Sequence, residues 1–300
     1  MPRRFAIADV FTDQPFAGNQ LAVVLDAGGL DGAAMQAIAR EFNFSETTFV
    51  LPPERGGDVR VRIFTPGKEV PFAGHPTIGT ALVLAEQGRV EHPADEPVLV
   101  LEEAAGLVPV RLRWDGGRFV FAELEAPEAP SFVPAPPAHQ LAPVIGLDPG
   151  DLVTTHGLPE GASTGLPFLI VELRDRVVLG RARFDGGAFE RILGDTPHDH
   201  LYLVARDGGP GIDFQVRMFA PGAGVAEDPA TGSAAAAFGG WLSERGGLGD
   251  GEHRFVLAQG LEMGRPSRLE VTVVRSEGAL AAIRVGGGAV IVMEGTLLRD

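Results

Sequence analysis

The chain has no cysteine, one tyrosine, two tryptophans and a single lysine, Lys68, among 300 residues. Without thiols there is no disulfide, no thiolate metal site and no cysteine acid–base pair. Positive charge is scarce: 25 Lys+Arg against 40 Asp+Glu leave a formal net charge of −15. That sign excludes nucleic acid as the main partner, because binding its phosphates requires a basic face. Arginines such as Arg60, Arg62 and Arg217 remain available to attract an anionic substrate locally. No run of about twenty apolar residues exists, so no membrane span is expected. The opening Met1-Pro2-Arg3-Arg4-Phe5 leads into a strand pattern without an apolar signal-peptide stretch. The expectation is a cytoplasmic protein that meets neither membrane nor nucleic acid.

What is present is an ordinary globular composition, 45% hydrophobic and 22% charged, with 41 glycines and 24 prolines that favour turns and short strands. Alternation at residues 5–11 and an apolar run at 21–25 predict strands around a turn at Pro15-Phe16-Ala17-Gly18-Asn19. Asp31 is a plausible N-cap for a helix that places Met35, Ile38, Ala39 and Phe42 on one face. Strands are predicted at 47–51 and 59–64, then an apolar helix at 76–87 closed by Gly88, then strands near 97–101, 107–114 and 118–124. Prolines 127, 130, 134, 136 and 137 make 127–137 the candidate linker. It separates a first half, 1–126, from a second, 138–287. The second half is predicted to hold a short helix at 139–145, strands near 152–156, 166–173, 201–205 and 212–219, an apolar helix at 232–245, and four strands from 253 to 298.

An internal repeat links the halves. Val61-Arg62-Ile63-Phe64-Thr65-Pro66-Gly67 matches Val216-Arg217-Met218-Phe219-Ala220-Pro221-Gly222. Each copy passes through a loop into a turn, Ala73-Gly74-His75-Pro76 in one and Asp228-Pro229-Ala230-Thr231-Gly232-Ser233 in the other, and then into an Ala-rich helix. The repeat predicts that each half is a sheet wrapped on one central buried helix, with the two helix starts coming from equivalent loops. A helix start offers unpaired N–H groups and partial positive charge, which suits a carboxylate. Gly74 and Gly232 stand where those N–H groups begin, with no side chain to block approach. Each glycine could equally serve only to make a tight turn, but both copies keep a polar neighbour, His75 and Ser233. Glu46 lies among Asn43, Ser45, Thr47 and Thr48, between a helix and an apolar strand. A carboxyl partly withdrawn from water there can both accept and donate a proton near neutrality; the alternative is a solvated loop glutamate. Asp228 precedes Pro229 at a helix start and could be a plain N-cap. His75 could be a core or capping histidine.

Several motifs together resemble the phenazine-biosynthesis isomerase (PhzF-like) family. They are Asp9-Val10-Phe11-Thr12 with Phe16-Ala17-Gly18-Asn19; Phe44-Ser45-Glu46-Thr47-Thr48-Phe49; the run from Phe64 through Gly74-His75-Pro76-Thr77; Glu227-Asp228-Pro229-Ala230-Thr231-Gly232-Ser233-Ala234; and Gln259-Gly260 with Met263-Gly264-Arg265-Pro266-Ser267. The resemblance implies the diaminopimelate-epimerase fold, an α+β fold of two pseudo-symmetric halves, each a mixed β-sheet curled around a central α-helix. It also implies a homodimer, and a last strand, about 288–300, that returns to the first half. It implies a cofactor-independent isomerase that moves a proton on a small unsaturated amino or hydroxy acid in a cleft between the halves. Glu46 would be the general acid/base, with His75, Asp228 and Ser233 around the reacting atoms and Gly74 and Gly232 as backbone donors to substrate oxygens. Many relatives carry histidine just after the Thr-Gly-Ser turn, whereas Ala235, Ala236 and Ala237 follow here. The absence of cysteine separates the chain from the two-thiol racemases of this fold.

Other signals are weak. His198-Asp199-His200 reads better as a solvated strand entry than as a metal site. Gly286-Gly287-Gly288 lacks the helix of a nucleotide-binding loop and reads as a sheet bend. No metal, flavin, nicotinamide or pyridoxal signature is present. Two rival functions stay open: a non-catalytic small-carboxylate-binding protein, and a hydrolase or lyase using Ser233 with His75 as its base.

Overall fold

The computed structural model describes residues 2–89, 97–221 and 225–298. Gly222 of the repeat and the last two residues of the predicted 288–300 strand lie outside the described residues. The chain forms two compact units, Met1–Glu125 with Gly286–Asp300, and Ala126–Val285.

In the first unit β1 (Arg3–Val10) and β2 (Asn19–Val24) are antiparallel. Helix α1 (Gly32–Phe42) starts at Asp31, whose carboxylate accepts from the Ala34 N–H at 2.8 Å. Strand β3 (Glu46–Leu51) runs parallel to β2, and β4 (Val59–Phe64) antiparallel to β3. After β5 (Glu69–Val70) comes α2 (Gly74–Glu86), then β6 (Val98–Glu103) parallel to β4, followed by β7 (Gly106–Asp115) and β8 (Arg118–Glu125).

The second unit opens with β9 (Ser131–Pro134), α3 (Ala138–Leu141) and β10 (Glu160–Ser163). It continues through β11 (Pro167–Leu173), α4 (Arg176–Arg181), α5 (Gly186–Leu193), β12 (Leu201–Ala205), β13 (Phe214–Ala220) and β14 (Val225–Asp228). Helix α6 (Gly232–Arg245) precedes β15 (Gly251–Gln259), β16 (Ser267–Ser276) and β17 (Ala279–Gly287). The last strand, β18 (Ala289–Leu297), pairs antiparallel along β1 in the first unit.

The two units repeat one topology. In the first, β2 is parallel to β3, β3 antiparallel to β4, β4 antiparallel to β5, and β4 parallel to β6. In the second, β11, β12, β13, β14 and β15 occupy the same places with the same senses. Each sheet wraps a helix that is buried on all sides. Every residue of α2 from His75 to Ala85 is buried, as is every residue of α6 from Ala234 to Ser243. A helix apolar all round cannot lie on a surface, so the sheet must curl about it.

Two expectations need correction. Four residues of the proline-rich segment form β9, paired with β10; Pro134 is tolerated because β9 is an edge strand, where a missing N–H breaks no ladder. The predicted strand at 152–156 reduces to a single bridge, Leu152 to Leu173.

Close packing of α2 on its sheet rests on Gly79. A Cβ there would sit 2.5 Å from Val10 Cγ2 and 2.6 Å from Leu21 Cδ2. In an exposed helix Gly→Ala gains up to about 1 kcal/mol, but overpacking a core costs about 1–3 kcal/mol. Gly79→Ala is therefore expected to lower the urea-unfolding free energy; a rise would show that the sheet yields freely to the helix.

Candidate active site

Glu46 is the first residue of β3 and not a solvated loop residue: its side chain is only 19% exposed. Strand pairing puts it beside Leu21, next to Gln20 on β2. His75 is the second residue of α2 and 6% exposed. Its Nδ1 lies 3.4 Å from Glu46 Oε2, and its Nε2 lies 3.4 Å from the Gln20 carbonyl oxygen. Burial drives the His75 pKa down to about 4, against the opposing pull of the Gln20 carbonyl. The ring is thus neutral at pH 7 and carries one N–H. The Gln20 carbonyl and an ionised Glu46 can both only accept, so the single N–H serves Gln20 from Nε2 or Glu46 from Nδ1 according to the tautomer. One buried bond holds this geometry: Thr48 on β3 and Thr80 on α2 join their hydroxyls at 2.8 Å, locking the strand that carries Glu46 to the helix that carries His75.

Gly74 opens α2, and the residue before it, Ala73, offers no side-chain cap. Pro76 has no N–H, so the amides of Gly74 and His75 are the first-turn donors without an intrahelical partner. Asp9 fixes the loop that leads back into β2, its Oδ2 accepting from the Phe16 N–H at 2.6 Å.

In the second unit Asp228 closes β14 and is 8% exposed. It is not the N-cap of α6; that position is Thr231. Asp228 Oδ2 accepts from the Thr231 hydroxyl at 2.5 Å. Gln259, fully buried, donates to Thr231 Oγ1 at 3.0 Å and to the Asp228 carbonyl at 2.8 Å, and accepts from the Thr231 N–H at 3.2 Å. Gly232 opens α6, with Ser233 half-buried behind it and Ala235, Ala236 and Ala237 within the core. The structure thus joins Glu46, His75 and Gly74 in one unit and Asp228, Gly232 and Ser233 in the other.

The arginines read as anion attractors are engaged within the protein. Arg62 grips Glu69 with two bonds of 2.7 Å, Arg60 pairs with Glu54, and the buried Arg217 holds Glu227 at 2.7 and 2.8 Å. In the 198–200 segment only Asp199 is solvated: His198 and His200 are buried, bonded to the Pro134 carbonyl at 3.0 Å and to Asp199 at 2.6 Å. Sequence reasoning missed Gln20, Thr48, Thr80 and Thr231, whose roles come from main-chain atoms or core hydroxyls and carry no signal in one sequence.

The depressed His75 pKa gives stability a pH dependence. The unfolded chain takes up this proton near 6.5, whereas the folded protein refuses it down to about 4. Acid therefore favours unfolding, and this group's contribution is complete above pH 6.5 and lost as pH falls through that window. The loss is on the order of 3 kcal/mol. Urea denaturation at pH 7.5, 6 and 5 is expected to show the decline in the wild type and a flatter profile in His75→Gln; equal slopes would mean that His75 is protonated freely in the fold.

The chain is similar to known proteins along nearly its whole length. The family described as phenazine biosynthesis-like protein matches residues 8–295. An uncharacterized isomerase of Mesorhizobium japonicum is 41% identical over 303 residues, covering 98% of each chain. A trans-2,3-dihydro-3-hydroxyanthranilate isomerase of Pseudomonas aeruginosa is 36% identical, covering 97% of this chain and 98% of its own. Among solved structures, the Bacillus anthracis phenazine biosynthesis protein of the PhzF family superposes with a TM-score of 0.90 at 31% identity over the whole of both chains. A probable proline racemase from Agrobacterium radiobacter shares the fold, with a TM-score of 0.64 at 15% identity, covering 99% of this chain and 93% of its own. With nearly its whole length matched by one family's sequence and fold, the chain belongs to the PhzF-like family of isomerases.

Proposed function

We propose that the protein is a cofactor-independent isomerase that shifts a proton along a small unsaturated amino or hydroxy acid, with Glu46 as its general acid/base. The observation that supports this reading is Glu46 standing 3.4 Å from Nδ1 of a neutral, buried His75, with Nδ1 taken as the unprotonated nitrogen. Glu46 takes a proton from an sp³ carbon beside a double bond, and the C–H electron pair moves into the neighbouring carbon–carbon bond. The old double bond's electrons then take the proton back at the far carbon, so atoms and charge balance without an external reactant. While Glu46 holds the proton, its O–H can donate to Nδ1, which stabilises the loaded acid between the two transfers. The Gly74 and His75 amides suit the substrate's carboxylate. In this reading Asp228, Ser233 and the Gly232 amide orient the substrate's remaining polar groups, a role supported by the resemblance and by the matching turn of the second unit. The substrate of the Pseudomonas aeruginosa relative, trans-2,3-dihydro-3-hydroxyanthranilate, is the first compound to try.

The test is proton NMR in deuterated water with that compound and a panel of unsaturated amino and hydroxy acids. Wild type is expected to exchange or relocate a carbon-bound proton, and Glu46→Gln to lose about 10²–10⁴-fold in rate, as removal of a positioned acid/base does. Exchange that persists undiminished in Glu46→Gln overturns the assignment. Saturable binding with no carbon–hydrogen exchange in any case favours the non-catalytic carboxylate binder.

A further inference from the structure

A second carboxyl lies buried beneath the start of α2. Glu103, the last residue of β6, is 1% exposed. Its Oε1 is 2.6 Å from the Thr77 hydroxyl, which is also 2.7 Å from the carbonyl oxygen of Ala73, the residue before the helix. A hydroxyl has one proton to give. The Ala73 carbonyl can only accept it, so the short contact to Glu103 is a bond on both sides only if the carboxyl itself carries a proton and donates it to Thr77. The rest of the pocket agrees. Glu103 Oε2 is buried without a hydrogen-bond partner among the described residues, a costly place for half of an anion and a tolerable one for a carbonyl oxygen. Arg55 directs Nη2 to the Glu103 main-chain oxygen and not to the carboxyl. Burial raises the Glu103 pKa to about 8, with the Thr77 contact opposing the rise.

The internal repeat gives an independent reading of the same position. Val59 and Phe214 are equivalent, and they pair with Leu101 of β6 and Leu257 of β15. Two residues further along each strand stand Glu103 and Gln259. Gln259 is an amide, uncharged at every pH, and it donates to Thr231, the residue before α6. One duplicated position therefore faces each buried helix start, and in one copy its occupant is a group that donates without ever carrying a charge.

We propose that Glu103 is held as an uncharged carboxylic acid, a positioning residue that donates through Thr77 to fix the Ala73-Gly74-His75 turn, as Gln259 fixes the Thr231-Gly232-Ser233 turn. That the braced turn serves a reaction rests on the proton shift argued above; the protonation of Glu103 does not.

Two measurements separate these claims. Infrared difference spectra between wild type and Glu103→Gln at pH 7 are expected to show a protonated-carboxyl carbonyl band that the variant lacks. A carboxylate band in its place overturns the proposal, whatever the activity. In the exchange assay Glu103→Gln, which supplies the same donor, is expected to stay within about threefold of wild type. Glu103→Leu, which cannot donate, is expected to lose about 10- to 100-fold in kcat, the scale of a displaced catalytic group, with KM little changed. Should Glu103→Leu fail to fold, Glu103→Gln still decides, and a 100-fold loss in it contradicts the neutral-donor role. If wild type itself shows no exchange, the isomerase reading fails while the infrared result stands.

Discussion

The structure depends on one arrangement: a helix that begins inside the protein, beside the first residue of a strand. Helix α2 opens at a partly exposed Gly74, and its residues from His75 to Ala85 are enclosed by the sheet. The buried imidazole of His75 must therefore find its partners among the groups around it, while the leading amides are left for a ligand or water. The same enclosure keeps His75 neutral, with Nδ1 on the side of Glu46. Burial also sharpens the interaction, since polar groups in a low-dielectric setting influence each other more strongly than in water.

The duplication shows how one scaffold can acquire a directional task. Register makes Thr47 and Leu201 equivalent, opposite Phe64 and Phe219, so the residue before each, Glu46 and His200, occupies one position. In the first unit that position holds a partly exposed carboxyl beside His75. In the second it holds a buried histidine paired with Asp199. His75 itself is matched by Ser233, and Ala73 by Thr231. The copies have kept their topology and their buried helices while diverging at the positions that carry chemistry, as expected when packing constrains the frame and function constrains the site.

Much of this was legible in the residues. The Val-Arg-hydrophobic-Phe repeat announced the duplication, Asp31 marked its helix, and the Ala-rich runs after Gly74 and Gly232 gave both buried helices. Glu46 and His75 stood out through the family motifs that contain them, because local sequence alone fits a solvated loop glutamate and a core or capping histidine equally. The strand at Ser131–Pro134 was hidden because prolines signal breaks, and only pairing reveals that an edge can absorb them. The burial of His198 and His200 was hidden because His198 bonds the distant main-chain oxygen of Pro134 and His200 packs edge-on against the distant ring of Phe168. Arg60, Arg62 and Arg217 looked free because nothing in one sequence shows that Glu54, Glu69 and Glu227 fold against them.

The central claim concerns where one proton sits. Long-range nitrogen–proton correlation NMR on ¹⁵N-histidine-labelled protein at pH 7, with His75 assigned through His75→Gln, reads it without any substrate. The account predicts a neutral ring with its hydrogen on Nε2 and an unprotonated Nδ1. An imidazolium, or a ring protonated on Nδ1, would contradict it.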